Sequence, residues 1–423
     1  MNLMTLNQSS PRDKARKRVV YALLGTAFFL PLNLIAMEIC FVTAVLCGAY
    51  YQWKYGDVFR RRMPLAGTVL AFAVTSFISL AGTPHFLLAL AFYAFTVLQY
   101  ILLYQLTTAF VRDSERHLFI CCLLASGLCV AVYGLYQYAH MLTLREAEWV
   151  DNSTFPLLRR RMYSTLYNPN LLSAFLLMVL SLAGAFALER QDRRQKFGCF
   201  CLAAVFFLCL ILTYSRGAWI SVGALVFFFG LFWDKRIWLL FLIVPAVLLF
   251  YHGGVTERLL SVFSHRDADT SVAMRLDMWS SAVLMIADHP FFGIGWGSFK
   301  YVYPVYNELI QDAGIVIFHA HNMYLNILAE TGIIGFSAFM SFFFGNGWYA
   351  FRFLRRHALR SPEGAFAMAF IAAVMALAIC SISDYDLFST QISLTFWLLS
   401  GLFSGIYVDH RKKIKKSLRN NSQ

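Results

Sequence analysis

Of 423 residues, 59% are apolar, 17% aromatic and 14% charged, whereas roughly a quarter of the residues in a soluble domain are charged. Lipid is therefore the expected solvent, which excludes a soluble enzyme. The formal net charge of +13 does not point to nucleic acid, because the basic residues fall in short clusters between apolar runs. The runs are continuous rather than alternating, which excludes a β-barrel: in hydrocarbon such segments satisfy their backbone groups as helices.

The runs predict an all-α integral membrane protein, one polytopic domain over 1–423. About twelve spans are expected, at 19–31, 34–51, 64–82, 86–111, 117–139, 169–188, 197–213, 217–233, 237–252, 329–351, 364–382 and 389–407. Pro31-Leu32-Asn33 divides the first two, since proline breaks a helix ladder and Asn favours turns. The basic start (Arg12, Lys14, Arg16, Lys17, Arg18) leads into apolar sequence without a small-residue cleavage site, so the first helix is expected to be retained. With both termini in the cytoplasm, 27 of the 36 Lys and Arg lie on the inner side, as the positive-inside rule requires. The nine cysteines lie in or at the ends of apolar runs without zinc-type spacing, and are expected to pack as small apolar side chains.

Two outward segments, 140–168 and 253–328, exceed the length of ordinary connections. The second is partly helical: Val272, Leu276, Trp279, Val283 and Ile286 recur at three- and four-residue spacing, after a cap at Asp269 or Thr270 and before Pro290. The basic tail 411–419 suits an inner-leaflet anchor.

Polar chemistry gathers on the outward side. Arg159, Arg160 and Arg161 form a triple cation near Asn168-Pro169-Asn170. Guanidinium forks suit a phosphate or diphosphate, while headgroups, or Glu146, Glu148 and Asp151, offer an alternative pairing. Arg216 follows Tyr214-Ser215 at a tight junction between spans, where it meets a phosphate or snorkels. Arg275 borders the apolar face of the loop helix, a position that a solvated pairing with a nearby carboxylate such as Asp277 accounts for more readily than a ligand does. His319-Ala320-His321-Asn322 places two imidazoles at the end of the large loop; such groups accept protons from hydroxyl nucleophiles, cap helices, or share a metal. No third metal ligand lies nearby at a recognisable spacing. Asp267-Ala268-Asp269 and Asp384-Tyr385-Asp386 are short acidic triplets suited to a cation, a helix cap, arginine pairing or polar substrate. Glu38, inside the second span, needs a partner or water.

The blocks Arg161-Met162-Tyr163-Ser164-Thr165-Leu166-Tyr167-Asn168-Pro169-Asn170, Thr213-Tyr214-Ser215-Arg216-Gly217-Ala218-Trp219, Arg275 with Trp279, Gly293-Ile294-Gly295-Trp296-Gly297, His319-Ala320-His321-Asn322 and Ala329-Glu330-Thr331-Gly332, in that order, resemble the O-antigen ligase and O-antigen polymerase superfamily of bacterial envelope glycosyltransferases. Members of that superfamily often carry Gly where this chain has Tyr167.

The resemblance implies a C-type glycosyltransferase-like fold. It also implies transfer of a glycan from an undecaprenyl-diphosphate carrier to an acceptor hydroxyl, on lipid A-core or another surface acceptor, at the outer side of the bacterial inner membrane. The implied reaction is inverting, with no metal or other cofactor. Carried over residue by residue, Arg216 and Arg275 grip the diphosphate, with Arg161 and Asn170 as further candidates on the substrate side, and His321 is the base, with His319 the second choice. Tyr214, Asp384 and Asp386 are further substrate-side candidates. A repeat-unit polymerase would use the same donor with a second lipid-linked glycan; the paired His motif and the single late loop favour a ligase. A transporter of the same carrier would instead show repeated halves and midplane polar groups. Metal-dependent oligosaccharyltransferases carry acidic residues in the first outer loop, where Pro31-Leu32-Asn33 has none.

Overall fold

The computed structural model describes residues 10–56, 63–141, 160–243, 270–307, 316–356 and 359–420. Every regular element among them is helical. The predicted break at Pro31-Leu32-Asn33 is a tight turn between α1 (Pro11–Phe29) and α2 (Leu34–Tyr55). Asn33 makes it by capping α2, its Oδ1 accepting from the Ala36 N–H at 2.9 Å.

The chain continues through α3 (Ala66–Ser79, extended by a 3-10 turn to Gly82), α4 (Phe86–Phe110), α5 (Asp113–Met141), α6 (Pro169–Glu189), α7 (Arg193–Leu212) and α8 (Arg216–Phe232). The late outward segment contributes α9 (Thr270–Asp288) and α10 (Phe299–Tyr306). Three long helices close the bundle: α11 (Met323–Leu354), α12 (Pro362–Cys380) and α13 (Thr390–Asn420). Asp267, Asp269 and Arg159 lie outside the described residues.

Eight of the described helices are long and apolar enough to cross a membrane: α2, α4, α5, α6, α7, α11, α12 and α13. α3 and α8 are apolar but shorter, and the expected span 237–252 runs beyond the described residues. The described helices thus establish a multi-pass membrane bundle but not the count of twelve.

Burial separates inner from outer helices. The apolar window of α13 is 89% buried within the protein and that of α6 78%, against 17% for α7, which leaves α7 for lipid. α12 packs on α6 and α8, its Ala376 carbonyl accepting from Ser221 Oγ of α8 at 2.9 Å, and its Ala365, Ala369, Ala372 and Ala376 are all buried. Small side chains let backbones approach where lipid removes the hydrophobic drive for association. Glu38 on α2 finds its partner in Gln99 on α4, whose Nε2 lies 2.8 Å from both carboxylate oxygens.

Two of the sequence blocks interlock. Gly332 interrupts α11 with φ 62°, ψ −176°, so the Ile333 N–H turns away from the helix to donate to the Pro290 carbonyl at 2.8 Å. The carbonyls of Ala329 and Glu330 are thereby released, and accept from Ile294 N–H at 2.9 Å and Gly295 N–H at 3.1 Å. A Cβ on Gly293 would collide with the Glu330 backbone, and one on Gly332 with that of Phe291. Trp296 completes the lock by donating from Nε1 to Thr96 at 2.9 Å, within a π turn of α4 at Ala94–Leu98. The late outward segment is thus fixed onto the bundle.

At the end of the bundle remote from this lock, ion pairs join α1, α5 and α13. Arg16 forks onto Glu115 with two contacts of 2.7 Å, and Arg116 reaches Asp409 at 2.5 Å. Lys413 meets Asp113 at 3.1 Å. The basic segments around 12–18, 112–116 and 408–413, predicted to share one side, do share one end.

Candidate active site

His319 and His321 lie in the turn before α11, and the residues around them fix that turn. Asn322 caps α11, its Oδ1 accepting from Leu325 N–H at 3.0 Å, while its Nδ2 donates to the Ile382 carbonyl at 3.0 Å. Met323 N–H donates to the carbonyls of Ser381 (3.0 Å) and Asp384 (3.2 Å). From the α9 side, Trp279 Nε1 donates to the Ala320 carbonyl at 3.0 Å. The start of α11 is thereby stitched to the loop between α12 and α13. His321 itself sits at φ 47°, left-handed backbone that a non-glycine residue occupies at a cost of about 1–3 kcal/mol.

Its ring lies beside Asp384, with His321 Nδ1 3.0 Å from Asp384 Oδ1. Oδ1 also accepts the Tyr385 N–H at 2.8 Å. Asp384 Oδ2 accepts from Asn170 Nδ2 at 2.5 Å, and Asn170 Oδ1 accepts from Arg161 Nη2 at 2.7 Å. Arg161 Nε is anchored on the Thr213 carbonyl at 2.8 Å. One hydrogen-bonded chain, Arg161–Asn170–Asp384–His321, thus links three separated stretches of sequence. Asn170 is aimed by the predicted Asn-Pro-Asn turn: Asn168 caps α6, accepting from Asn170 N–H at 2.8 Å, and Pro169 takes the first helical position. Tyr167 adopts φ 55°, so it holds the left-handed turn conformation that Gly at this position would hold without strain.

The electrostatics favour an ionised Asp384. Burial alone would push its carboxyl up, but the His321 hydrogen bond and the electrostatic influence of His321, His319 and Arg275 outweigh burial and hold it below the ordinary carboxylate range. Arg275 on α9 is therefore close enough to Asp384 for its charge to be felt there. His319 is enclosed by Tyr385 and Phe388; burial and the neighbouring His321 depress its imidazole to about 4. It is neutral near pH 7, which lets its Nδ1 accept the His321 N–H at 3.1 Å.

Asp386 is different. Burial and the charge of Asp384 push its carboxyl well above the ordinary range, so it carries a proton where Asp384 does not. A raised folded-state pKa stabilises most below the unfolded value of about 4, and that contribution is lost as pH rises through the folded value. Asp386→Asn is therefore expected to melt no earlier than the wild type at neutral pH and to flatten the alkaline decline in melting temperature. A fall of several degrees at pH 7 would contradict this assignment.

The remaining predicted residues are distributed around this chain. Arg216 opens α8 beside the Asp384 loop: a Cβ on Gly217 would stand 2.6 Å from Ser383 Oγ and 3.5 Å from the Cys380 carbonyl. Arg160 is buried. Tyr214 is buried at φ 53°, its hydroxyl 3.3 Å from that of Tyr138, which fits it to hold the junction before α8. The expectation that His319 and His321 lack a third metal ligand concerned nearby sequence. In space Asp384 supplies one, the three groups offering ligand atoms within 4.8 Å of one another. One of those contacts, His321 Nδ1 to Asp384 Oδ1, is already a hydrogen bond, and His319 Nδ1 accepts from the His321 backbone N–H.

Residues 201–340 match the family described as O-antigen ligase. A protein of Haemophilus influenzae described as uncharacterized is 23% identical over 195 residues, covering 42% of this chain and 48% of that protein. The chain thus matches about half the length of that relative. Over residues 201–340, which hold Arg216, Arg275, His319 and His321, this multi-pass membrane protein is thus similar to the O-antigen ligase family.

Proposed function

We propose that the protein transfers a glycan from undecaprenyl diphosphate to an acceptor hydroxyl in the manner of an O-antigen ligase, with the site facing outward from the bacterial inner membrane and both termini in the cytoplasm. The observation that carries this reading is the Arg161–Asn170–Asp384–His321 chain, with Arg275 and the start of α8 beside it. Asp384 accepts a hydrogen bond from His321 Nδ1–H and so fixes the tautomer that leaves Nε2 as the base. The acceptor hydroxyl attacks the anomeric carbon and gives its proton to Nε2. The bond from that carbon to the diphosphate oxygen breaks with its electron pair on the leaving group. A single displacement inverts the anomeric centre. Negative charge grows on the diphosphate as the bond breaks, and Arg216, Arg275 and Arg161 stabilise it where it develops. The family match supports glycan assembly at the envelope; the paired His motif favours the ligase over the polymerase.

Purified protein supplied with a lipid-linked donor tests this. Arg216→Ala and Arg275→Ala are each expected to lower transfer by about 100- to 1,000-fold, and EDTA to leave the wild-type rate unchanged. Loss of activity on chelation, restored by a divalent ion, would convert the His319–His321–Asp384 cluster into a metal centre and overturn the reading. In cells, deletion of the gene is expected to leave surface glycan detached from its anchor; shortening to single repeat units would instead identify a polymerase.

A further inference from the structure

At the membrane face opposite His321, the C-terminal end of α11 and the late turns of α13 enclose a cavity of about 450 Å³. Arg352 and Arg356 from α11 and the turn after it line one side; His410 and Arg411 from α13 line the other. Its floor is aromatic: Tyr349 and Tyr407 pack edge to face with ring centres 5.0 Å apart, and the Arg411 guanidinium lies 5.9 Å above the Tyr407 ring. Residue 352 is 29 positions into α11 from Met323, roughly 44 Å along the helix, so the cavity is remote from the candidate active site and sits at headgroup depth.

We propose that this cavity binds the phosphate of an anionic phospholipid. Three guanidiniums converge on one opening, and planar guanidinium forks match phosphate oxygens in a way that scattered lysines do not. Two carboxylates on the adjoining side are engaged elsewhere, Asp409 with Arg116 and Asp113 with Lys413. The floor of tyrosine rings suits the glycerol and first acyl carbons below a headgroup, as aromatic side chains do at membrane interfaces. The position at the ends of two spanning helices makes the occupant a lipid rather than a soluble anion. By bridging α11 to α13, the bound phosphate ties together the inner ends of the two helices whose outer ends follow His321 and Asp386.

The test uses the full-length protein in phosphatidylcholine nanodiscs with or without phosphatidylglycerol, reading melting temperature and the lipid retained in native mass spectrometry. Phosphatidylglycerol is expected to raise the melting temperature and to remain bound. Arg352→Gln combined with Arg356→Gln should reduce retention tenfold or more and abolish the thermal gain. Arg193→Gln with Arg194→Gln removes the same charge from the exposed start of α7 at the same end and should do neither. Equal losses in both pairs would reduce the effect to general attraction and overturn the proposal. Stabilisation by inorganic phosphate alone, in the absence of anionic lipid, would overturn the lipid assignment. All four arginines are exposed, so folding should survive; Arg352→Lys, which keeps charge without the fork, should show an intermediate loss of retention.

Discussion

His321→Ala is expected to lower glycan transfer by about 100- to 10,000-fold, the range for a positioned general base, while the protein still inserts and elutes as a folded bundle. Folding should persist because the cap on α11 belongs to Asn322, and the stitches to the Asp384 loop come from Met323 N–H and Asn322 Nδ2. None of these uses the imidazole. His319→Gln is the informative comparison. Its ring is neutral well below pH 7, with a value of about 4, so it contributes no titration between pH 5 and 8, and a Gln carbonyl replaces the acceptor for His321 N–H. That variant should keep the shape of the pH–rate profile even if its rate falls severalfold. A His321→Ala enzyme with full activity on purified lipid-linked donor would end the mechanism, and so would a His319→Gln profile that loses its acid limb.

Hydropathy and charge made the bundle legible because both report on solvent: apolar runs mark lipid, and excluded Lys and Arg mark the side to which a loop is retained. The Pro31-Leu32-Asn33 turn was equally readable, since its cap is made by a residue three positions from its partner. Neither signal says which spans touch. Asp384 and His321 are 63 residues apart, joined because each lies in a turn before a long helix on one face. An Asp-x-Asp triplet read along the chain suggests a chelating pair. In space its two carboxyls divide, Asp384 ionised against His321 and Asp386 protonated beneath it. Likewise, Ala329-Glu330-Thr331-Gly332 and Gly293-Ile294-Gly295-Trp296-Gly297 are recognisable as motifs, but their reason is mutual: the break at Gly332 releases the carbonyls that the glycine turn uses. Arg216 and Arg275 lie far apart in sequence; Gly217, next to Arg216, stands against Ser383, and Arg275 is felt electrostatically at His319 and Asp384.

Asp384→Asn, nearly isosteric, should cost about as much as loss of the base, up to roughly 10,000-fold where a carboxylate sets a histidine tautomer. The direction of the hydrogen bonds explains why. Arg161 can only donate, so Asn170 must present Oδ1 to it and Nδ2 to Asp384. Asp384 accepts from Asn170 on one oxygen, and from His321 and Tyr385 on the other. An amide at position 384 has one oxygen only. If its NH2 faces Asn170, two donors oppose each other in a buried site; if it faces His321, the ring must accept at Nδ1 and carry its proton on Nε2, where it cannot serve as base. Adding Asn170→Asp to Asp384→Asn restores the order of donors and acceptors: the carboxylate introduced at position 170 accepts from Arg161 and from the amide introduced at position 384, whose oxygen is then returned to His321. The negative charge is displaced one residue from the imidazolium it stabilises, so recovery should be partial, at least tenfold above Asp384→Asn alone. A double variant no faster than the single one would show that the charge beside His321, rather than the order of hydrogen bonds, is what the site requires.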